Sequence, residues 1–88
     1  MQIRFARHFV KELRAAPPHI QQAWGTRLAL FINNKFYSLL NNHNLTGKLS
    51  EYRSINITGD WRAIFCELAN GEIISFERLG THSRLYKK

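Results

Sequence analysis

Acidic residues are few in this chain, and its first half has almost none. Residues 1–44 hold Arg4, Arg7, Lys11, Arg14, Arg27 and Lys35 against Glu12 alone. Over all 88 residues, 13 Lys and Arg face 6 Asp and Glu, a net charge of +7. A field of that sign attracts polyanions, and it suits an acidic protein partner equally well. Cysteine is nearly absent too. Cys66 alone excludes an internal disulfide, so the fold must hold without staples, as fits a reducing cytoplasm. No apolar run reaches about 18 residues, which excludes a membrane-spanning helix and a membrane partner. The opening stretch MQIRFARHFVKELR is too broken by charge for a secretory signal. There is no glycine-rich phosphate loop, and no histidine pair has metal-ligand spacing. Neither a nucleotide cofactor nor a metal is therefore expected.

What is present describes one small domain over residues 1–88. Hydrophobic residues make up 44%, too many for a disordered chain. A chain this short buries roughly 60–65% of its unfolded surface, enough for one core and no large internal pocket. The pattern changes near residue 44 from helical to strand-like. Residues 2–5 suit a short opening strand. Phe5, Phe9 and Leu13 recur every four residues, with Ala6 and Val10 beside them, predicting a helix over 6–15. Pro17-Pro18 ends it and suits the first turn of a second helix. Ile20, Ala23, Trp24, Leu28 and Phe31 mark that helix's buried face as far as Asn33. Leu39-Leu40 anchors the next segment, and 41–47 reads as surface loop.

Three strands follow: Tyr52 to Ile57, Trp61 to Leu68 and Glu72 to Leu79. The last two are joined at Asn70-Gly71, a strong hairpin signal. The expected class is α+β. The helical hairpin of 5–33 packs on one face of a small, antiparallel-rich sheet, with Phe9, Leu13, Trp24, Leu28, Phe31 and Ile57 in the core. Counting back from a two-residue turn pairs Leu68 with Ile73, Cys66 with Ser75, Ile64 with Glu77 and Arg62 with Leu79. Trp61 then faces Gly80, and Asp60 faces Thr81. The far end of the hairpin gathers Asp60, Trp61, Arg62 and the Thr81-His82-Ser83 turn. A carboxylate, an imidazole, a guanidinium and a flat ring together meet the needs of RNA cleavage. The ribose 2′-OH must lose a proton, the departing 5′-oxygen must gain one, and the phosphorane between them needs a cation. An aromatic ring can hold a splayed base. This chemistry requires no metal.

Three stretches, NNHNLTGKL (41–49), YRSINITGDWRAIF (52–65) and ERLGTHSRLY (77–86), carry a resemblance to a known family. With their spacing, the chain resembles the RelE-type mRNA interferase toxins of bacterial type II toxin–antitoxin pairs, in the RelE/StbE group with YafQ-like features. The N-terminal helices match only in pattern. The resemblance implies a RelE-like sheet whose free face takes mRNA on the ribosome, and a cognate acidic antitoxin that suppresses the toxin. By position, it implies that His43 matches a catalytic histidine of the YafQ-like branch. Asp60 and Trp61 match its acidic and aromatic site residues, and His82 the histidine proposed as general acid. Tyr86 matches an aromatic near the C-terminus, and Arg62 a strand arginine on the phosphate. One departure stands out: where YafQ-like proteins carry a further histidine, this chain has Asn56, which cannot exchange a proton near neutral pH.

Plainer readings stand beside these. His82 and His43 also fit exposed turn and loop positions, and His8 and His19 read as surface residues. Asp60 suits a turn after Thr58-Gly59. Trp61 fits ordinary core, and Cys66 a buried structural thiol. Lys48 after Gly47 is a phosphate ligand or a solvated lysine. Arg53 is a phosphate contact or half of an ion pair with a nearby Glu. Two other functions fit the same charge: a ParE-like toxin that inhibits DNA gyrase without cutting nucleic acid, and a non-catalytic RNA-binding module.

Overall fold

In the computed structural model, which describes residues 1–86, the proline pair divides the helical segment as its geometry demands. The chain opens with β1 (Gln2–Phe5) and α1 (Arg7–Ala15). Helix α2 (Pro18–Asn33) starts with Pro18 in its first turn, where no N–H is needed. The Gln21 carboxamide closes the junction. Its Nε2 donates toward the carbonyls of Leu13, Arg14 and Ala16 at 3.1, 3.2 and 3.3 Å, at the end of α1 where the Leu13 carbonyl also accepts the Ala16 amide. Strands β2 (His43–Asn44), β3 (Arg53–Asn56), β4 (Trp61–Leu68) and β5 (Ile73–Thr81) follow, and α3 (His82–Leu85) is a single turn. The 41–47 segment is thus not wholly loop, because His43–Asn44 adds a short edge strand.

The sheet order is β1-β5-β4-β3-β2. β1 runs parallel to β5, and the remaining neighbours are antiparallel. Phe9, Trp24, Phe31 and Ile57 are buried, while Leu13 and Leu28 pack half-buried against them. Aromatic rings join the helices to the sheet: Trp24 lies 4.9 Å from Phe76, and Phe31 lies 5.2 Å from Phe65, both edge-on. Phe5 ends β1, the opening strand expected over residues 2–5, rather than extending the α1 stripe, and it stacks on Phe76 at 5.9 Å.

The hairpin register holds near its turn and slips beyond it. Leu68 faces Ile73 and Cys66 faces Ser75, as counted. The Glu72 amide donates to Ala69 at 3.2 Å across Asn70 and Gly71, whose φ values are 57° and 88°. A bulge then inserts Glu77. Phe65 faces Phe76, but Ile64 faces Arg78, not Glu77. Arg62 therefore faces Gly80 rather than Leu79, and Trp61 faces Thr81 rather than Gly80. An extra residue in one strand advances every later pair by one.

Candidate active site

Alternation along β4 assigns the faces. Trp61, Ala63 and Phe65 belong to the core under the helices. Arg62, Ile64 and Cys66 therefore point to the opposite, open face. There the strands and α3 enclose a cavity of about 300 Å³ lined by Asn41, His43, Leu45, Arg62, His82 and Tyr86. Four of the residues marked by the sequence meet in it, His43 from β2, Arg62 from β4, and His82 and Tyr86 from the start and the C-cap of α3.

Each is held by identifiable contacts. His43 Nδ1 lies 2.8 Å from the carbonyl of Asn41. A carbonyl only accepts, so Nδ1 is the donor here, and the lone pair of the corresponding tautomer lies on Nε2. Asn41 makes this possible by adopting φ 47°, a left-handed conformation that asparagine tolerates. Arg62 Nη1 donates to the carbonyls of Thr58 and Trp61 at 2.9 and 3.1 Å. Those bonds fix the guanidinium and leave Nε and Nη2 without partners among the described residues. His82 begins α3, capped by Thr81, whose hydroxyl accepts from the Arg84 amide at 3.3 Å. Its own amide donates to the Asp60 carbonyl at 2.8 Å. The His82 and Tyr86 rings meet edge-on at 4.6 Å. Ser54 and Asn56 lie on the same face of β3, opposite Ile64 and Arg62, and Ser54 Oγ and Asn56 Oδ1 are buried without a partner.

The other marked residues sit elsewhere. Asp60 adjoins His82 through its backbone, while its exposed side chain does not line the cavity. Trp61 is on the helical side, in a separate cavity of about 330 Å³ with Lys11, Glu12 and Leu79. The alternation that sends Arg62 outward already required this. Among the described residues Arg53 forms no ion pair, and its guanidinium is not open to an anion. Its Nε and Nη1 donate to Asn42 and Asn44 side chains at 2.7 and 2.6 Å, and its guanidinium lies 5.5 Å over the Phe36 ring. Lys48 is exposed on the turn Gly47–Leu49, outside the cavity lining. Cys66 is half-buried rather than buried. Burial pushes its thiol up, and the carboxylates of Glu77 and Glu51 add to the effect, so it stays protonated and unreactive. Asn41 and Leu45 were not foreseen as lining residues; an asparagine two positions before a histidine is too common a pattern to mark a site.

A strand edge, a central strand and a C-terminal turn sharing two histidines and an arginine give a distinctive arrangement. The family model for the bacterial toxin of type II toxin–antitoxin systems, YafQ, matches residues 1–87. The chain belongs to the YafQ toxin family. Its fold is similar to that of YafQ from E. coli strain BL21(DE3), with a TM-score of 0.80, 24% identity and 97% of each chain covered. It is similar to the toxin fold in the E. coli DinJ–YafQ toxin–antitoxin complex, at TM-score 0.77 and 25% identity, covering 97% of this chain and 96% of that one. It is also similar to a chain of the RelB–RelE antitoxin–toxin complex from Methanococcus jannaschii, at TM-score 0.73 and 23% identity with 94% of each covered. No curated protein sequence matches. Within the YafQ family the fold and toxin class follow, and the open-face cavity is this chain's own candidate site.

Proposed function

We propose that this toxin is an endoribonuclease that cuts mRNA at the open-face cavity, on the ribosome, by general acid/base catalysis without a metal. The supporting observation is the convergence of His43, Arg62, His82 and Tyr86 on one cavity. His43 Nε2 takes the proton of the ribose 2′-OH. The 2′-oxygen bonds to phosphorus, and the bond from phosphorus to the 5′-oxygen breaks. His82 in its protonated form delivers a proton to that oxygen. The products are a 2′,3′-cyclic phosphate and a 5′-hydroxyl. Arg62, anchored through Nη1, offers Nε and Nη2 to the phosphorane, where charge develops. Tyr86 flanks His82 and presents a surface for a base.

His43 is preferred to Asp60 as base because it lines the cavity with a lone pair available, whereas Asp60 contributes a backbone carbonyl that seats His82. Lys48 and Arg53 are assigned no part in the chemical step. An acidic antitoxin is the proposed suppressor, as the charge of +7 favours. The DinJ–YafQ and RelB–RelE complexes show relatives held by antitoxins.

The decisive experiment is cleavage of translated mRNA by the purified protein, with end-group analysis. Cyclic phosphate and 5′-hydroxyl ends are expected. His82→Ala should lower the rate about 10²–10⁴-fold, the usual worth of a positioned acid. Cleavage by His82→Ala at the wild-type rate would remove the assigned role. A protein that cuts no RNA but blocks gyrase would be the ParE-like alternative.

A further inference from the structure

A second cavity on the open face, of about 270 Å³, adjoins the histidine cavity and takes no part in the proton transfers. Its apolar walls are Leu49, Tyr52, Ile64 and Leu85, and Glu77, Arg78 and His8 of α1 complete the lining. The two cavities are neighbours along two elements. Ile64 follows Arg62 by two residues on β4, roughly 6–7 Å, and Leu85 precedes Tyr86. Ile64 is 4% exposed yet lies outside the core cluster, because this cavity's walls cover it from the open side. A slot with four apolar or aromatic walls, a phenol ring among them, near the arginine proposed to bind phosphate has the make-up of a nucleobase site.

Glu77 is the anomaly. A carboxylate in a groove that binds a polyanion repels its ligand unless it accepts hydrogen bonds from it. Arg78 is turned to another acid, its Nε and Nη2 donating to Glu12 at 3.0 Å. No cation lies within ion-pair distance of Glu77 among the described residues. The bulge that inserts Glu77 into β5 gives it this place, and the Ser75 hydroxyl donates to its Oε2 and fixes its direction. Oε1 has no partner among the described residues, and Oε2 keeps a second lone pair.

We propose that Glu77 reads a guanine in the nucleotide next to the cleaved bond, seated in this slot against Tyr52. The inference rests on the reading of the open face as an RNA surface. Guanine presents two parallel donors, N1–H and the N2 amino group, which meet both carboxylate oxygens at once. Adenine and cytosine present one amino donor beside a ring nitrogen whose lone pair would face the second oxygen.

Binding separates this from the cleavage reading. The probes are uridine heptamers, fully 2′-O-methylated so that the nucleophile is blocked, with guanine, inosine or adenine at the centre. Each is titrated against the wild-type protein, Glu77→Gln and Glu77→Ala. The wild type should bind the guanine probe about ten-fold or more tighter than either alternative, within the range of a good bidentate base contact. Both variants should bring the three affinities within about two-fold of one another. Equal binding of the three probes by the wild type, or an unchanged guanine preference in both variants, overturns the proposal. A guanine preference in a protein that cuts no mRNA would overturn the nuclease reading and leave this site standing.

Discussion

Glu12 is the only acid in the first 44 residues, and its surroundings explain why it is kept. Burial by itself would raise its carboxyl. The Arg78 hydrogen bonds, the Leu79 amide and the charges of Arg78 and His8 outweigh burial and hold it below the ordinary carboxylate range. A depressed folded-state value means that this contribution is complete above the unfolded value and is lost as pH falls through the folded one. Glu12→Gln should lower stability at pH 7 by about 1–3 kcal/mol, the worth of hydrogen bonds to a charged group. The deficit should shrink when denaturant midpoints are compared at acid pH, where the wild-type carboxyl is itself protonated. A deficit equal at both pH values would show that packing, not charge, is lost. At the site, His43→Ala should reduce the cleavage rate about 10²–10⁴-fold, the range for a general base. Asp60→Asn should reduce it much less, because the carbonyl that seats His82 remains. The reverse order would make Asp60 the base.

Gly80 shows how one element holds another in place. A Cβ built there would come 3.2 Å from Leu85 Cδ2, and Leu85 belongs to α3 with His82. Gly80→Ala should displace α3 and lower activity far more than it lowers the melting temperature; parallel losses would mean general unfolding. At the other end of the hairpin, Gly71 has φ +88°. Gly71→Ala should cost about 1–2 kcal/mol, the penalty for a left-handed residue with a Cβ, seen as a lower denaturant midpoint at unchanged activity. Elements governed by local chemistry were legible in the sequence. Pro17-Pro18 bounded both helices, Asn70-Gly71 fixed the turn, and Leu68 and Cys66 met their expected partners. Features set by distant partners were not. The Glu77 bulge arises where β5 passes from pairing with β1 to meeting Glu12 of α1, whose carboxylate takes the Leu79 amide at 3.0 Å. Nothing local to Glu77 announces that handover. The two-residue β2 owes its existence to β3, since His43 and Asn44 pair with Ser54 and Arg53. Arg53 took asparagine side chains and an aromatic face in place of the expected Glu for the same reason: Asn42 and Asn44 lie eleven and nine residues earlier, at and beside β2.

At the scale of the molecule, charge and core divide the labour. The excess of +7 should govern association, so binding of an acidic antitoxin should weaken steadily as salt rises from about 0.05 to 0.5 M, with the on-rate falling most. Salt-insensitive binding would place apolar contact ahead of charge. Stability should rest on the rings that join α1, α2 and the sheet. Phe76 touches Phe5, Phe9, Trp24, Phe31 and Phe65, and Phe76→Ala should cost about 3–5 kcal/mol in equilibrium unfolding. Among the described residues no helix is long and apolar enough to cross a membrane. The parallel pairing of β1 with β5, Gln2 against Ile73, has a consequence in time. The first strand to leave a translating ribosome must wait unpaired for the last. β5 also carries the bulge, seats α3 and gives β4 its second neighbour. A nascent chain therefore has neither a closed sheet nor His82 near His43 until its final strand has been made. The order of synthesis thus delays assembly of the proposed site until β5 has joined β1 and β4.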